Sequence, residues 1–458
     1  MTFPPRGSGI EGTVETPPSQ VWGHPWELGD SWTWAPGKVL LGRWNDRALG
    51  RDDDRHLMTI AGTRAGKSLT VLIPNLLRYP GSVLVLDPKG ELVRATAKQR
   101  RRLGQKVIVL DPFRESGEAS SSHNPFSELD TSVPENVSAD AAQLADALII
   151  GNPKDPHWTD SAKNLIRGII LHLLDRNPQK ATLREVRRLL NATPAELDIL
   201  FKAMMDSSAF EGVVSNIGAA FYGKKESGGR ELQGILSTAQ EQTAPLDDVV
   251  RITDKSDFSL SELSNGKVTI YLVLPGMRIA THYRWLRIVV QQALIAMERN
   301  RVPRGRLPVW FVLEEFPCLG HMRPIEAAAG LMAGYGVKLW SVIQDLTQLQ
   351  THYPKSWETF LGNAGVIQAF GNVDVTTTEH MSRLLGTTQV IERQDIRVSG
   401  GAMAHGDLGV REHIRSVRLL DANEITQHFA RETGMQLVLV PGRPPIYMQR
   451  LPYEGGGS

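Results

Sequence analysis

One cysteine, Cys318, stands in a chain of 458 residues. That excludes an internal disulfide and any metal site built from several thiolates, and it suits a reducing cytoplasm. An excess of charge of either sign is also missing, because 51 basic side chains face 50 acidic ones and leave a formal net charge of +1. No global field therefore draws the chain onto nucleic acid or an anionic membrane, and any contact with a polyanion must be local. No window approaches the roughly 18 consecutive apolar residues of a spanning helix, and the first residues lack the basic-then-apolar pattern of a signal. As it stands the chain reads as soluble. Histidines such as His56, His123, His157 and His321 are scattered without ligand spacing, so no metal-dependent nuclease constellation is present. What remains is ordinary globular material, 41% hydrophobic and 22% charged, long enough for two or three cores.

The pattern changes along the chain. Residues 1–37 are rich in Pro, Gly and Trp, with Trp22, Trp26, Trp32 and Trp34 close together but without helical or strand periodicity. They read as an irregular arm, either a strap whose indoles pack on the core or a lead-in that meets a partner or membrane. From residue 38 short apolar runs alternate with helical segments: HLMTIAG (56–62), SVLVLD (82–87), KVIVLD (106–111), KVTIYLVLP (267–275), PVWFVLEE (308–315), VKLWSVIQ (337–344) and GVIQAFG (365–371). Nearly all-apolar strands between helices indicate an α/β fold whose parallel-rich sheet is covered on both faces.

Between 157 and 248 the strand signal vanishes, and WTDSAKNLIRGIILHLL, ATLREVRRLL, TPAELDILFKAMM and RELQGILSTA repeat their apolar residues at helical spacing. This predicts an all-α domain inserted between a first part, 38–156, and a second part, 249–454, of the α/β domain. Within it, AFYGKKESGGRE (220–231) reads as a mobile loop. The tail carries a Gly-rich segment, VSGGAMAHGDLG, and then two strands, MQLVLV and IYMQRL, turned by PGRPP; the closing Gly-Gly-Gly-Ser, 455–458, reads as a linker or tag.

Residues 61–68, Ala61-Gly62-Thr63-Arg64-Ala65-Gly66-Lys67-Ser68, have the spacing of a phosphate-binding P-loop, with Ala at the first position. Small residues let successive backbone N–H groups turn inward on phosphates. Lys67 is placed to reach the β and γ phosphates and the Ser68 hydroxyl to hold Mg²⁺. The helix that opens there aims its positive end at the anion. Pro74 should end or kink that helix early. The loop follows a predicted strand, which is the context a nucleotide site requires, and implies ATP with Mg²⁺ as the ligands.

Such a site needs an acid on a neighbouring strand for the magnesium water shell and a carboxylate to polarise the attacking water. PVWFVLEEF offers Glu314 for the metal and Glu315 as general base, both expected to face the triphosphate. Asp87, ending LVLD, competes for the metal role. Gln344, ending VKLWSVIQ, is placed to sense the γ phosphate or the water.

These residues resemble one family, the type IV coupling proteins, hexameric RecA-like ATPases of conjugation and type IV secretion. The resemblance covers about residues 38–453 and rests on ordered blocks: MTIAGTRAGKSLTVLIPNLLRYPGSVLVLDPKGE, HNPF (123–126), SDFSLSELSNGKVTIYLVLP (256–275), FVLEEFPCLG (311–320), VIQDLTQLQTHYP (342–354) and LGNAGVIQAFGNVDVTTTEHMSRLLG (361–386). It implies a RecA-like nucleotide-binding domain interrupted by an all-α domain. It also implies that Gly66, Lys67 and Ser68 bind phosphate and magnesium, that Glu314 and Glu315 form the second acidic motif, and that Gln344 is the glutamine after the next strand. The sequence departs from the family in three respects. Glu314 stands where Asp is common. LMAGYG (331–336) has no basic residue where the family often offers an arginine to a neighbour's ATP, leaving Arg323 or Arg383 as substitutes. The usual transmembrane helices are not seen, so the chain is either a shortened one or a soluble branch held by partners.

The resemblance further implies a ring at the cytoplasmic face of the bacterial inner membrane that delivers relaxase-linked single-stranded DNA or effector proteins to the secretion machinery. A monomer in isolation is compatible with it. KQRRR (98–102) and GKK (223–225) are the candidate DNA contacts. The competing reading is a nucleotide-gated adaptor that recruits substrates through its all-α domain with weak or no hydrolysis.

Overall fold

Strand formation follows the apolar runs closely. The structure, a computed structural model, describes residues 20–152, 154–395 and 410–453; the first 19 residues of the arm, the Gly-rich segment 398–409 and the terminal Gly-Gly-Gly-Ser lie outside them. The chain divides into two units, residues 1–79 with 342–458, and residues 80–341, and passes from the second to the first within the strand Val337–Ile343.

In the first unit the strand His56–Ala61 pairs in parallel with Ala364–Phe370. Beyond the latter, Met435–Leu439, Ile446–Gln449, Val39–Trp44 and Arg47–Arg51 add in that order, each antiparallel to its neighbour. The Val39–Arg51 hairpin has no counterpart among the expected strands, because Gly42, Arg43, Arg47 and Gly50 interrupt its apolar run. A second antiparallel ribbon, Thr387–Asp395 with Val410–Arg418, was also not expected; its polar alternation, TTQVIERQD, carries no core signal. The described part of the arm is a strap. Trp22 and Trp32 are buried, Trp22 edge-on to Tyr447 at 5.4 Å between ring centres and Trp32 beneath the Arg51 guanidinium at 5.2 Å.

In the second unit the strands run Val337–Ile343, Val309–Leu313, Val83–Asp87, Val268–Val273, Lys106–Leu110, all in parallel register. Val83–Asp87, Val268–Val273 and Val309–Leu313 are buried at every residue, as apolar strands covered on both faces must be. Between Pro134 and Thr253 every regular element among the described residues is helical. The longest there, Pro156–Arg176, starts at the Asp155-Pro156 step, three residues ahead of Thr159, because proline suits the first helical turn. Thr193 and Glu196 close a capping box on Pro194–Met205, and Phe201 stacks on Phe221 in the buried core of the bundle.

Two expectations fail here. Residues 220–226 are not a loop: the helix Val213–Glu226 runs through Gly223, Lys224 and Lys225, and only Ser227–Gly229 turn. Ion pairs hold that end, Lys224 to Glu231 at 2.5 Å and Lys225 to Asp198 at 2.6 Å. Both lysines of GKK are therefore engaged. KQRRR is likewise not a free basic face. Arg100 is fully buried, donating through Nε to Thr269 Oγ1 at 2.9 Å and through Nη2 to the Gly81 carbonyl at 2.7 Å, and Arg101 pairs with Glu118 at 2.6 Å.

Asn75 is the polar lock of the first unit. Its side chain accepts from Leu40 N and donates to the carbonyls of Leu40 at 2.8 Å and Val71 at 2.9 Å, tying the hairpin to the helix that follows the phosphate loop. Asn75→Ala leaves buried backbone groups unpaired and is expected to lower stability by roughly 2–4 kcal/mol, read as a shift in the urea midpoint of the intact chain. A shift within error would show that those groups find other partners.

Candidate functional site: a phosphate loop and two acidic strand ends

The phosphate loop, Gly62 to Lys67, leaves the strand His56–Ala61 and enters a helix at once. Arg64 has φ +58° and Gly66 φ +91°. Left-handed residues in such a turn bring successive N–H groups to one side, the geometry that cradles an anion. The loop is braced from inside its own unit. Gly62 N donates to the Phe370 carbonyl at 3.3 Å, and Ala65 N to the Gly62 carbonyl at 3.1 Å. Gly371, at φ +63°, lies so close that a Cβ there would stand 2.4 Å from Ala65 Cβ, while one on Gly62 would meet the Gly371 carbonyl at 2.0 Å. Only glycine fits at either position.

Ser68–Leu72 forms a π-helical turn in which Ile73 N reaches back to the Ser68 carbonyl, and the α-helix that follows, Ile73–Leu76, is short. Pro74 stands in that segment. It lies in the first turn, where a missing N–H is tolerated, and the helix ends at Leu76, two residues beyond it. Lys67 and Ser68 are half-buried, and Thr63 and Arg64 are exposed.

Gln344 is brought to this loop, where its side-chain oxygen accepts from Thr63 Oγ1 at 2.7 Å. Its backbone is fixed by Gln348 Oε1, which accepts from Gln344 N at 3.1 Å, and by Asn372 Nδ2, which donates to its carbonyl at 3.1 Å. Arg450 was missed by sequence reasoning. It is 5% exposed, donates to the carbonyls of Ala65 at 2.5 Å and Arg431 at 2.6 Å, and lies over the Phe370 ring at 4.5 Å. Nothing in the sequence connects it to residue 65, 385 positions away. An arginine closing a terminal strand is the only signal it leaves. Burial pushes its pKa down from the ordinary value.

The acidic candidates lie in the second unit. Glu314 follows Val309–Leu313 and is buried, and Glu315 takes the left-handed conformation at φ +55°, opening the turn Phe316–Leu319. A non-glycine residue held there marks a constrained position. The register pairs Leu86 with Leu313, so Asp87 and Glu314 end adjacent strands. Asp87 is buried; Oδ2 accepts from Val93 N at 2.8 Å, and Oδ1 has no hydrogen-bond partner. Desolvation raises its pKa to about 6, opposed by the Val93 and Leu92 backbone donors. Burial pushes the Cys318 thiol up as well, which keeps the lone cysteine protonated.

The residues fit the groups the motif implies. A loop of inward amides on a glycine floor suits phosphate, and in the first unit the Ser68 hydroxyl after it is a hard oxygen donor of the kind Mg²⁺ takes; in the second unit the Glu314 carboxylate is another. Among the described residues no group of three or more His, Cys, Asp or Glu side chains forms a metal cluster.

Residues 7–453 match the family described as type IV secretory system conjugative DNA transfer. The chain belongs to the type IV coupling proteins. It is similar to the conjugal transfer protein TraG of Escherichia coli, 28% identical over 89% of this chain and 69% of that protein, and to the protein VirD4 of Rhizobium radiobacter, 27% identical over 91% of this chain and 59% of that protein. The chain thus spans only about three fifths to two thirds of the length of these relatives. Its fold is similar to that of the plasmid coupling protein TrwB solved in complex with ADP and Mg²⁺, with a TM-score of 0.64, 16% identity and coverage of 91% of this chain and 89% of that one. The coupling-protein fold is RecA-like α/β with an all-α insertion, as the resemblance implied. No helix of the described residues is long and apolar enough to cross a membrane.

The raised pKa of Asp87 gives a sign for pH dependence. A carboxyl with a folded-state pKa near 6 and an ordinary value of 3.8 binds its proton more tightly in the folded state, so stability falls as pH rises from about 4 to about 6. Asp87→Asn should flatten that slope in metal-free buffer, measured by urea unfolding at pH 4.5, 6 and 7.5. An unchanged slope would place the titration elsewhere.

Proposed function

We propose that the chain is an ATPase that works as the coupling protein of a type IV secretion or conjugation system. ATP and Mg²⁺ bind at residues 61–68, and hydrolysis drives relaxase-linked single-stranded DNA, effector proteins or both toward the secretion channel. The observation that carries this is the phosphate loop itself: left-handed turns at Arg64 and Gly66 over a glycine floor, with the Gln344 side chain hydrogen-bonded to Thr63 in the same unit. One relative is a conjugal transfer protein, and the fold neighbour is a plasmid coupling protein solved with ADP and Mg²⁺.

In this reading Mg²⁺ neutralises charge on the phosphates and fixes their orientation when bound. The amides of Thr63, Arg64 and Gly66 would hold the phosphates, Lys67 would bring its cation to the β and γ oxygens, and the Ser68 hydroxyl and Glu314 carboxylate would supply the metal's protein oxygens. Glu315 takes the proton of the attacking water. Gln344, held by Thr63, orients that water or reports the γ phosphate. The helical stretch 157–248 receives the cargo, and assembly into a ring at the inner membrane brings an arginine to a neighbour's nucleotide. Arg323 and Arg383 are both exposed and available for that. With GKK and much of KQRRR engaged internally, DNA contact falls to other surfaces or to pore loops formed in the ring.

The adaptor reading keeps one observation in its favour: Glu314 in place of the shorter acid, together with the absence of a basic residue across 331–336. Turnover separates the two. The expected outcome is DNA-stimulated ATP hydrolysis that Lys67→Ala lowers roughly 100-fold or more, with Glu315→Gln retaining ATP binding. Tight binding without turnover, with cargo binding intact, would establish the adaptor.

A further inference from the structure

Arg287 joins the acidic turn to the root of the helical insertion. It sits in the long helix Gly276–Arg299 and is buried. Its Nη1 donates to the carbonyls of Leu319 and His321, each at 2.8 Å, in the turn that Glu315 opens; its Nε donates to the carbonyl of Ala147 at 3.2 Å. Ala147 lies in the last turn of the helix Pro134–Leu148, where carbonyls lack intrahelical donors and a cation is favoured. A short segment then leads into Pro156–Arg176, the longest helix of the insertion. One guanidinium thus grips the residues just after Glu314 and Glu315 with one arm and the foot of the all-α region with another.

Further polar contacts join the two helices beside their apolar ones. Gln291 Nε2 donates to the Gln143 carbonyl at 2.8 Å, and Arg299 pairs with Asp140 at 2.7 Å. One turn earlier, Arg284 reaches Gln242 at 3.3 Å, and the same Gln242 oxygen accepts from Ile150 N at 2.7 Å. Leu144, Ile288, Gln291 and Ile295 also line a cavity of about 360 Å³ in this seam. A seam in which discrete hydrogen bonds and apolar contacts flank an open pocket has room to shift that an unbroken close-packed contact lacks. Of the side chains named in it, Arg287 alone also holds the acidic turn.

We propose that Arg287 is a positioning residue that fixes the Glu314–Glu315 turn to the helix Pro134–Leu148, so that nucleotide state at the acidic turn and the placement of the helical insertion move together. The inference rests on the reading that Glu314 and Glu315 serve bound ATP. Lysine at this position keeps the charge but cannot spread a planar fork over the turn and the helix at once.

The test uses the full chain, comparing wild type with Arg287→Lys and Gln291→Leu by hydrogen exchange with and without a hydrolysis-resistant ATP analogue and Mg²⁺, beside steady-state kinetics. In wild type the analogue should slow exchange in both 316–323 and 134–150. Arg287→Lys should keep nucleotide affinity within about threefold and protect 316–323 alone, with kcat roughly tenfold lower at unchanged KM. Gln291→Leu, which cuts one bond of the seam without touching the turn, should keep the wild-type kcat. Nucleotide binding without a linked change in 134–150, or an Arg287→Lys chain that matches wild type, overturns the inference alone; so does a Gln291→Leu chain as slow as Arg287→Lys. A chain that binds no nucleotide sinks the ATPase reading and takes this inference with it.

Discussion

A backbone that must turn its amides toward an anion can satisfy only some of them on other carbonyls. In this coupling protein the phosphate loop meets that constraint by accepting left-handed conformations at Arg64 and Gly66 and by resting on a neighbouring strand end that has no side chain to interfere. Phe370 accepts the loop's first N–H, Gly371 leaves room for Ala65, and Arg450 reaches the Ala65 carbonyl from the last strand. The strand order of the first unit follows from this need. Parallel pairing of His56–Ala61 with Ala364–Phe370 puts the carboxyl ends of both strands at one edge, where an α/β sheet places its ligands.

The second unit solves a different problem with the same materials. Its largely apolar strands bury their side chains on both faces, which leaves their ends as the natural place for charged groups, and Asp87, Glu314 and Glu315 are found at such ends. Polar groups elsewhere in the unit act mainly as fasteners. Arg100 and Arg287 are buried arginines that serve backbone carbonyls, and the lysines of the Val213–Glu226 helix serve carboxylates. A basic run in the sequence is therefore a poor guide to a nucleic-acid surface here, since internal acceptors take much of its donor capacity.

Legibility differed by element for a physical reason. The parallel strands were visible because double-sided burial demands unbroken apolar runs, and the insertion helices because one buried stripe repeats at the helical period. The Val39–Arg51 hairpin and the Thr387–Arg418 ribbon were not visible: one is interrupted by glycines and arginines, the other has mixed polar residues throughout. The helix over 220–226 hid behind its glycine and charges, because its end is held by ion pairs with Asp198, on another helix, and with Glu231, just beyond the turn.

By itself the sequence determined the phosphate loop, the acidic strand ends and the family, since each depends on residue types at short fixed spacings that local geometry enforces. Tertiary structure decided what supports them. Gln344 on Thr63, Gly371 and Arg450 under the loop, and Arg287 across the acidic turn are contacts between residues 30 to nearly 400 positions apart. Such pairings depend on which chain segments the sheet and helices bring side by side, and spacing along the chain carries no record of that.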